Sequence, residues 1–369
     1  MSHTPVAART PAWRLLATGL LAMATATAAH AGTGLRELPG LQGDGPVTVF
    51  YPSGSADQAV TRGPFTLHLA LDGAATPGNG RLVVITHGSG GSPWVHTDLA
   101  RALVAAGFVV ALPEHVGDNY KDPSTPGPES WKRRPAEVSR AIDAVAQDAR
   151  LAPLVDSATV GVFGGSAGGH TALTLAGGHW SPARFRQHCE AHIAEDFSSC
   201  VGFITRLHGN LLDGLKKAVA LGVIRQRFDD ATDQSYSDPR VQAAIAFVPF
   251  AADFDMATLA TPRIPLGLIT AGLDINQVPQ FHSSAVLAAC QDRCTLVAHL
   301  PGASHGAMLS PLPPMHLLGT VHQQLLGDPP GFDRSSTLPQ LDAKVVAFFA
   351  QHLQPLQPLQ PLQPLRRAP

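Results

Sequence analysis

The sequence predicts an α/β fold in which a mostly parallel central sheet is covered by helices on both faces, and three observations carry that expectation. Short apolar runs without clean alternation recur along the chain at residues 81–86, 108–112, 158–163, 241–248, 264–270 and 295–300. Strands buried on both faces read this way, whereas half-exposed strands alternate. Helical patterns separate these runs at 95–106, 136–149 and 281–289. Finally, Gly164-Gly165-Ser166-Ala167-Gly168 stands directly after one apolar run and directly before the helix-compatible stretch 170–176.

Two runs of β-forming residues, 47–51 and 65–71, are bounded by Gly, Pro or Asp and read as antiparallel entry strands ahead of the parallel set. Ser92 is placed to cap a helix whose first turn holds Pro93, with Leu99, Leu103 and Val104 at core-facing spacing. Pro135 suits another first turn, followed by the stripe Val138, Ile142 and Val145. After the helix that follows Ser166, some sixty residues at about 179–240 intervene before the next apolar strand. Connections in such folds ordinarily take about 2–6 residues, so this segment reads as a cap inserted over the site and a determinant of the substrate.

The termini read differently from the body. Arg9 and Arg14 precede the uncharged run 15–29, and Ala29-His30-Ala31 is a small-x-small cleavage site, so residues 1–31 are expected to be a secretory signal. The folded domain is expected over 32–352, and 353–369 repeats Gln-Pro-Leu, a composition that favours an extended tail. No segment reaches the roughly 18 consecutive apolar residues of a membrane span. The formal net charge of −2 and the shortness of the basic block Lys132-Arg133-Arg134 argue against nucleic acid as a partner.

Four cysteines fall into two close pairs. In an exported chain, whether secreted or periplasmic, this reads as disulfides, most simply Cys189 with Cys200 and Cys290 with Cys294, although four cysteines permit three pairings. A metal reading of His188, Cys189, His192, Cys200 and His208 is the weaker one, because their spacing fits no standard zinc pattern.

Ser166 is the candidate nucleophile. Glycines at the flanking positions tolerate the tight strand-to-helix turn that pushes a serine clear of its neighbours. A second match, Gly302-Ala303-Ser304-His305-Gly306, is followed within eight residues by Pro311, Pro313 and Pro314 and lacks the helix. A hydroxyl needs a base, and His305, in a Gly-flanked loop after the last strand, is the candidate over His87, His96, His115 and His170. Asp274, following the strand at 264–270, is the candidate acid to orient it, with Asp253 and Asp255 as rivals. The loop His87-Gly88-Ser89-Gly90-Gly91-Ser92 would supply an oxyanion donor from the Ser89 N–H, joined by the Ala167 N–H. Phosphate cradling is the other use of such a loop, but no Lys-Ser/Thr follows it.

Taken together, His87 to Pro93, Gly107-Phe108-Val109-Val110-Ala111, Trp131-Lys132-Arg133-Arg134-Pro135 and Gly165-Ser166-Ala167-Gly168-Gly169 resemble the exported bacterial α/β-hydrolases labelled predicted dienelactone hydrolases. That group is similar also to platelet-activating-factor acetylhydrolases. The resemblance implies an α/β-hydrolase fold and a Ser-His-Asp triad and says little of the substrate; the residues themselves point to a small-molecule carboxylic ester or thioester, of short or medium acyl length or lipid-like, with no metal or organic cofactor. Dienelactone hydrolases carry a Cys nucleophile where Ser166 stands, so a lactone substrate does not follow. An acyltransferase would share every residue named, and an inactive binding protein is the remaining alternative.

Overall fold

The computed structural model describes Met1, residues 32–202 and residues 204–354. The expected signal segment beyond Met1 and almost all of the Gln-Pro-Leu tail therefore lie outside the described residues. Twelve strands are described: β1 (Gly32–Leu38), β2 (Val47–Ser53), β3 (Gln58–Arg62), β4 (Phe65–Leu71), β5 (Leu82–Thr86), β6 (Val109–Pro113), β7 (Val160–Gly165), β8 (His179–Trp180), β9 (Val241–Phe247), β10 (Phe254–Asp255), β11 (Leu266–Ala271) and β12 (Cys294–Leu300). Ten of them form one sheet in the order β12-β11-β9-β7-β5-β6-β2-β1-β4-β3, and β8 pairs with β10 apart from it. From β12 to β6 all neighbours run parallel, while β2 is antiparallel to β6 and to β1.

The helices are α1 (Thr97–Ala105), α2 (Pro128–Gln147), α3 (Ala167–Leu175), α4 (Pro182–His192), α5 (Phe197–Val201), α6 (Leu212–Arg227), α7 (Met256–Leu259), α8 (Ser283–Cys290), α9 (Thr320–Leu326) and α10 (Arg334–His352). Side chains alternate across the sheet because the strand period is two. Leu82 and Val84 therefore join one core with Val138, Ile142, Leu173 and Val286 of α2, α3 and α8. Val83 and Ile85 join the opposite core with Leu99 and Leu103 of α1 and Leu341, Val345 and Phe349 of α10. The mixed α/β architecture with its largely parallel sheet is that of an α/β-hydrolase-like fold.

Several boundaries differ from the sequence expectation. The helix assigned to Pro135 begins at Pro128, after Gly127 at φ 85°, and Pro135 lies inside it. Proline is tolerated at N1 because its missing N–H has no intrahelical partner there, and Pro128 is the residue that uses this. Ser92 occupies the N-cap position ahead of Pro93, yet its side chain makes no capping hydrogen bond, and a 3-10 turn at Pro93–His96 precedes α1. The sequence reading also passed over β1, β3 and α10; the last carries Pro339 in its first turns and a weakly segregated polar pattern. Its Leu338, Leu341, Val345, Phe348 and Phe349 are nonetheless deeply buried, and Leu353 just beyond it is fully buried against the same core.

The segment at 179–240 holds β8, α4, α5 and α6. Cys189 and Cys200 are joined, tying α4 to α5, and Cys290 and Cys294 are joined at the turn from α8 into β12. Both pairings are the expected ones.

Candidate active site

Ser166 sits between β7 and α3 at φ 57°, ψ −119°, in the positive-φ half of backbone space that L-residues rarely occupy. Holding a serine there costs of order 1–3 kcal/mol, which the surroundings must offset. Its N–H donates to the Phe247 carbonyl at 3.0 Å, and its carbonyl accepts from Phe250 N and His170 N. Two glycines make the turn sterically feasible. A Cβ on Gly164 would lie 1.9 Å from the Gly168 carbonyl oxygen, and a Cβ on Gly168 would lie 1.9 Å from that of Thr86. The pattern around Ser166 thus reflects backbone packed on backbone. By contrast Ser304 is followed by no helix, and its hydroxyl donates to the Gly327 carbonyl at 2.8 Å.

Sheet register brings the next component alongside. Thr86, the last residue of β5, pairs with Gly164, so the loop beginning at His87 emerges beside Ser166. A Cβ on Gly88 would lie 3.4 Å from Cβ of Ser166. Ala167, the first residue of α3, has an N–H with no intrahelical acceptor, and the helix N-terminus adds partial positive charge next to the serine.

His305 and Asp274 come together from the loops after β12 and β11. The His305 Nδ1 lies 2.7 Å from Asp274 Oδ2, with both side chains buried. Asp274 Oδ1 accepts from the backbone N–H groups of Asn276 and Gln277 at 2.8 and 3.0 Å. Leu273 N bonded to the Ala303 carbonyl ties the two loops to each other. The rival acids are engaged elsewhere. Asp253 lies 3.0 Å from His170 Nε2 in a buried pair, while Asp255 caps α7 and pairs with Arg184. Of the rival histidines, His115 lies between Thr86 and Glu137, and burial pushes its ring well below the ordinary histidine range. Burial likewise lowers His96 to about 4, so it is a neutral ring near neutral pH.

Beneath the His87–Ser92 loop lies a polar support that sequence reasoning missed. Arg134 is fully buried; it donates to the carbonyls of His87 and Gly88 and pairs with Asp118 at 2.8 Å. Asp118 Oδ1 in turn accepts from the Ser89 hydroxyl at 2.5 Å and from Gly90 N at 3.1 Å. Burial pushes the Asp118 carboxyl up, but the Arg134 charge and the serine hydrogen bonds outweigh it and hold the group below its usual value. Arg134 stood in the Trp131 to Pro135 motif, yet nothing in the local pattern said which loop it would grip.

Ser166 and His305 open into one cavity of about 1110 Å³, walled on one side by α2 and β9 neighbours such as Trp131 and Phe250 and on another by α6 of the inserted segment. Cys189 and Cys200, bonded to each other, are not metal ligands. His188, Asp196 and His282 hold three ligand-type atoms within 4.8 Å of one another. His282 Nδ1, however, accepts the Ala251 N–H at 2.9 Å, which places the ring proton on Nε2, and Nε2 lies 3.0 Å from Asp196 Oδ2. With His188 Nε2 at 2.8 Å from the same oxygen, the cluster reads as a hydrogen-bonded latch between α4 and the body.

No family model and no curated protein matches the chain. Among solved structures it is similar to a ferulic acid esterase from Streptomyces cinnamoneus, with 17% identity, TM-score 0.53, and coverage of 90% of this chain and 92% of that one. At that identity the likeness speaks to the fold, and the fold is α/β-hydrolase-like.

Proposed function

We propose that the protein is an exported serine hydrolase that cleaves carboxylic esters. The observation that carries this reading is a serine on a strained, glycine-packed turn, sharing a cavity with a histidine whose far nitrogen is 2.7 Å from a buried carboxylate. In this reading His305 Nε2 takes the Ser166 proton as Oγ attacks the ester carbonyl, and Asp274 fixes the tautomer and stabilises the imidazolium. The N–H groups of Ala167 and Ser89 stabilise the oxyanion, an effect of about 10²–10³ in turnover per donor in comparable sites. The alcohol leaves with the proton from His305. Water, deprotonated by the same ring, then releases the acid and restores Ser166.

The shared fold with a ferulic acid esterase supports an ester as substrate class, and two disulfides support a secreted or periplasmic location. Among the described residues no helix is long and apolar enough to cross a membrane. A fluorophosphonate probe is expected to label Ser166 and to fail on Ser166→Ala, with ester turnover falling by about 10⁴-fold or more. Labelling at another residue, or unchanged turnover in Ser166→Ala, overturns the proposal.

A further inference from the structure

α6 presents one continuous face to the cavity. Its lining residues, Leu215, Lys216, Val219, Ala220, Val223 and Ile224, follow the i, i+1, i+4, i+5 spacing of a single helical stripe, which continues to Arg227. Along that stripe Leu215, Val219 and Val223 are 63%, 58% and 47% exposed, and they border the open cavity that also reaches Ser166. Lys216 does not bring a free charge to the face, because its ammonium donates to the Arg206 carbonyl and to Asp213. Aromatic rings line the same cavity, with Phe185 of α4 set edgewise on Phe228, the residue that ends α6, and on Phe250, at 4.8 and 5.2 Å between centroids. Apolar surface of this extent, exposed and bordering the same cavity as Ser166, is the mark of a binding wall for an apolar ligand.

We infer that α6 is the acyl-chain rail of the site, and that the substrate is an ester of a long aliphatic acid whose chain lies along the Leu215 to Arg227 face. This rests on the ester-hydrolase reading and extends its short or medium acyl range. Twelve residue steps of helix span about 18 Å. An extended alkyl chain with bonds of about 1.5 Å advances about 1.3 Å per carbon, so the face accommodates about 14 carbons. A cavity of about 1110 Å³ also lies just above the range of about 300–1,000 Å³ for small-molecule pockets, larger than a short acyl group fills. Each methylene buried fully against the face contributes at most about a fourfold gain in kcat/KM.

The test is the dependence of kcat/KM on acyl length for p-nitrophenyl esters from acetate to hexadecanoate, below their aggregation concentrations. The expected result is a rise of at least tenfold between butanoate and dodecanoate, flattening near 14 carbons. Val219→Asp is expected to cost dodecanoate at least tenfold more than it costs butanoate. Ala218→Asp puts the same charge on the neighbouring position, which does not line the cavity, and is expected to leave the length profile intact. As a readout free of turnover, dodecanoate is expected to bind Ser166→Ala protein, and more weakly when Val219→Asp is added. A profile that is flat or falls from acetate onward, with Ser166-dependent turnover retained, overturns the rail and leaves the hydrolase reading standing. A flat profile with a dimer that Val219→Asp dissociates assigns the face to a second copy of the chain instead. No ester turnover at any length overturns both readings.

Discussion

α3 and α6 lie on two sides of one cavity and obey opposite rules. Every residue of α3 is buried, and its glycines meet backbone atoms at distances no side chain could share. In α6 only Ile224 is buried, and Cβ atoms added to Gly214 or Gly222 would meet nothing within 4 Å. The helix that follows Ser166 is over-determined by its surroundings, as a strained serine requires. The helix of the insertion is held by few contacts and is free to vary in sequence without disturbing the chemistry. A site divided in this way can keep its reaction while its substrate changes.

The sharpest way to break the comparison is through the acids. Asp274→Asn is expected to lower kcat by about 10⁴-fold with little loss of fold, because the His305 ring loses its orienting acceptor. Asp253→Asn, which disturbs the buried pair with His170, is expected to move the thermal midpoint much more than kcat. Comparable kcat losses in the two variants would return the acid assignment to Asp253. Next in size is the support under the glycine loop: Arg134→Ala leaves Asp118 buried without its cation and is expected to cost about 3–5 kcal/mol in denaturant unfolding. A change below 1 kcal/mol would mean that the loop holds itself. Gly168→Ala is expected to cost about 3 kcal/mol, with loss of probe labelling at Ser166, through the clash with the Thr86 carbonyl.

The latch between the insertion and the body gives a pH signature. Burial pushes the Asp196 carboxyl up, but hydrogen bonds from His188 and His282 outweigh it and hold the group at about 2. A carboxyl depressed in the folded state stabilises fully above its unfolded value near 4, and that contribution is lost as pH falls toward 2. It amounts to about 2 kcal/mol. Unfolding titrations are therefore expected to show a stability gap between the protein and Asp196→Asn that closes as pH falls from 4 to 2. A gap that persists at pH 2 would show that the latch acts without its charge. The smallest effect runs the other way. Gly222→Ala, in the open interior of α6, is expected to raise stability by about 0.5–1 kcal/mol with Ser166 labelling unchanged. Destabilisation there would place a contact against α6 that the present packing lacks.

Much of the fold was legible in the sequence because its signals are local. The core strands beside Ser166 declare themselves as apolar runs, and the disulfide partners as close pairs. α10 did not, since its apolar residues become a face only against the sheet, and Pro128 was passed over because Pro135 offered the same signal nearer the apolar stripe. At the site, order and punctuation single out Ser166, His305 and Asp274 as candidates. What could not be read was pairing across the fold: that Asp253 faces His170, that Arg134 grips the carbonyls of His87 and Gly88, and that α6 turns one stripe toward the serine.

By itself, the sequence determined which residues can turn, cap, bury and react, because backbone sterics and hydrophobic periodicity act over a few neighbours. Only the tertiary structure decided which acid meets which histidine and which face of the insertion meets the cavity. Those outcomes depend on sheet register and on atoms far apart in the chain, where direction and distance exist only once the chain has folded.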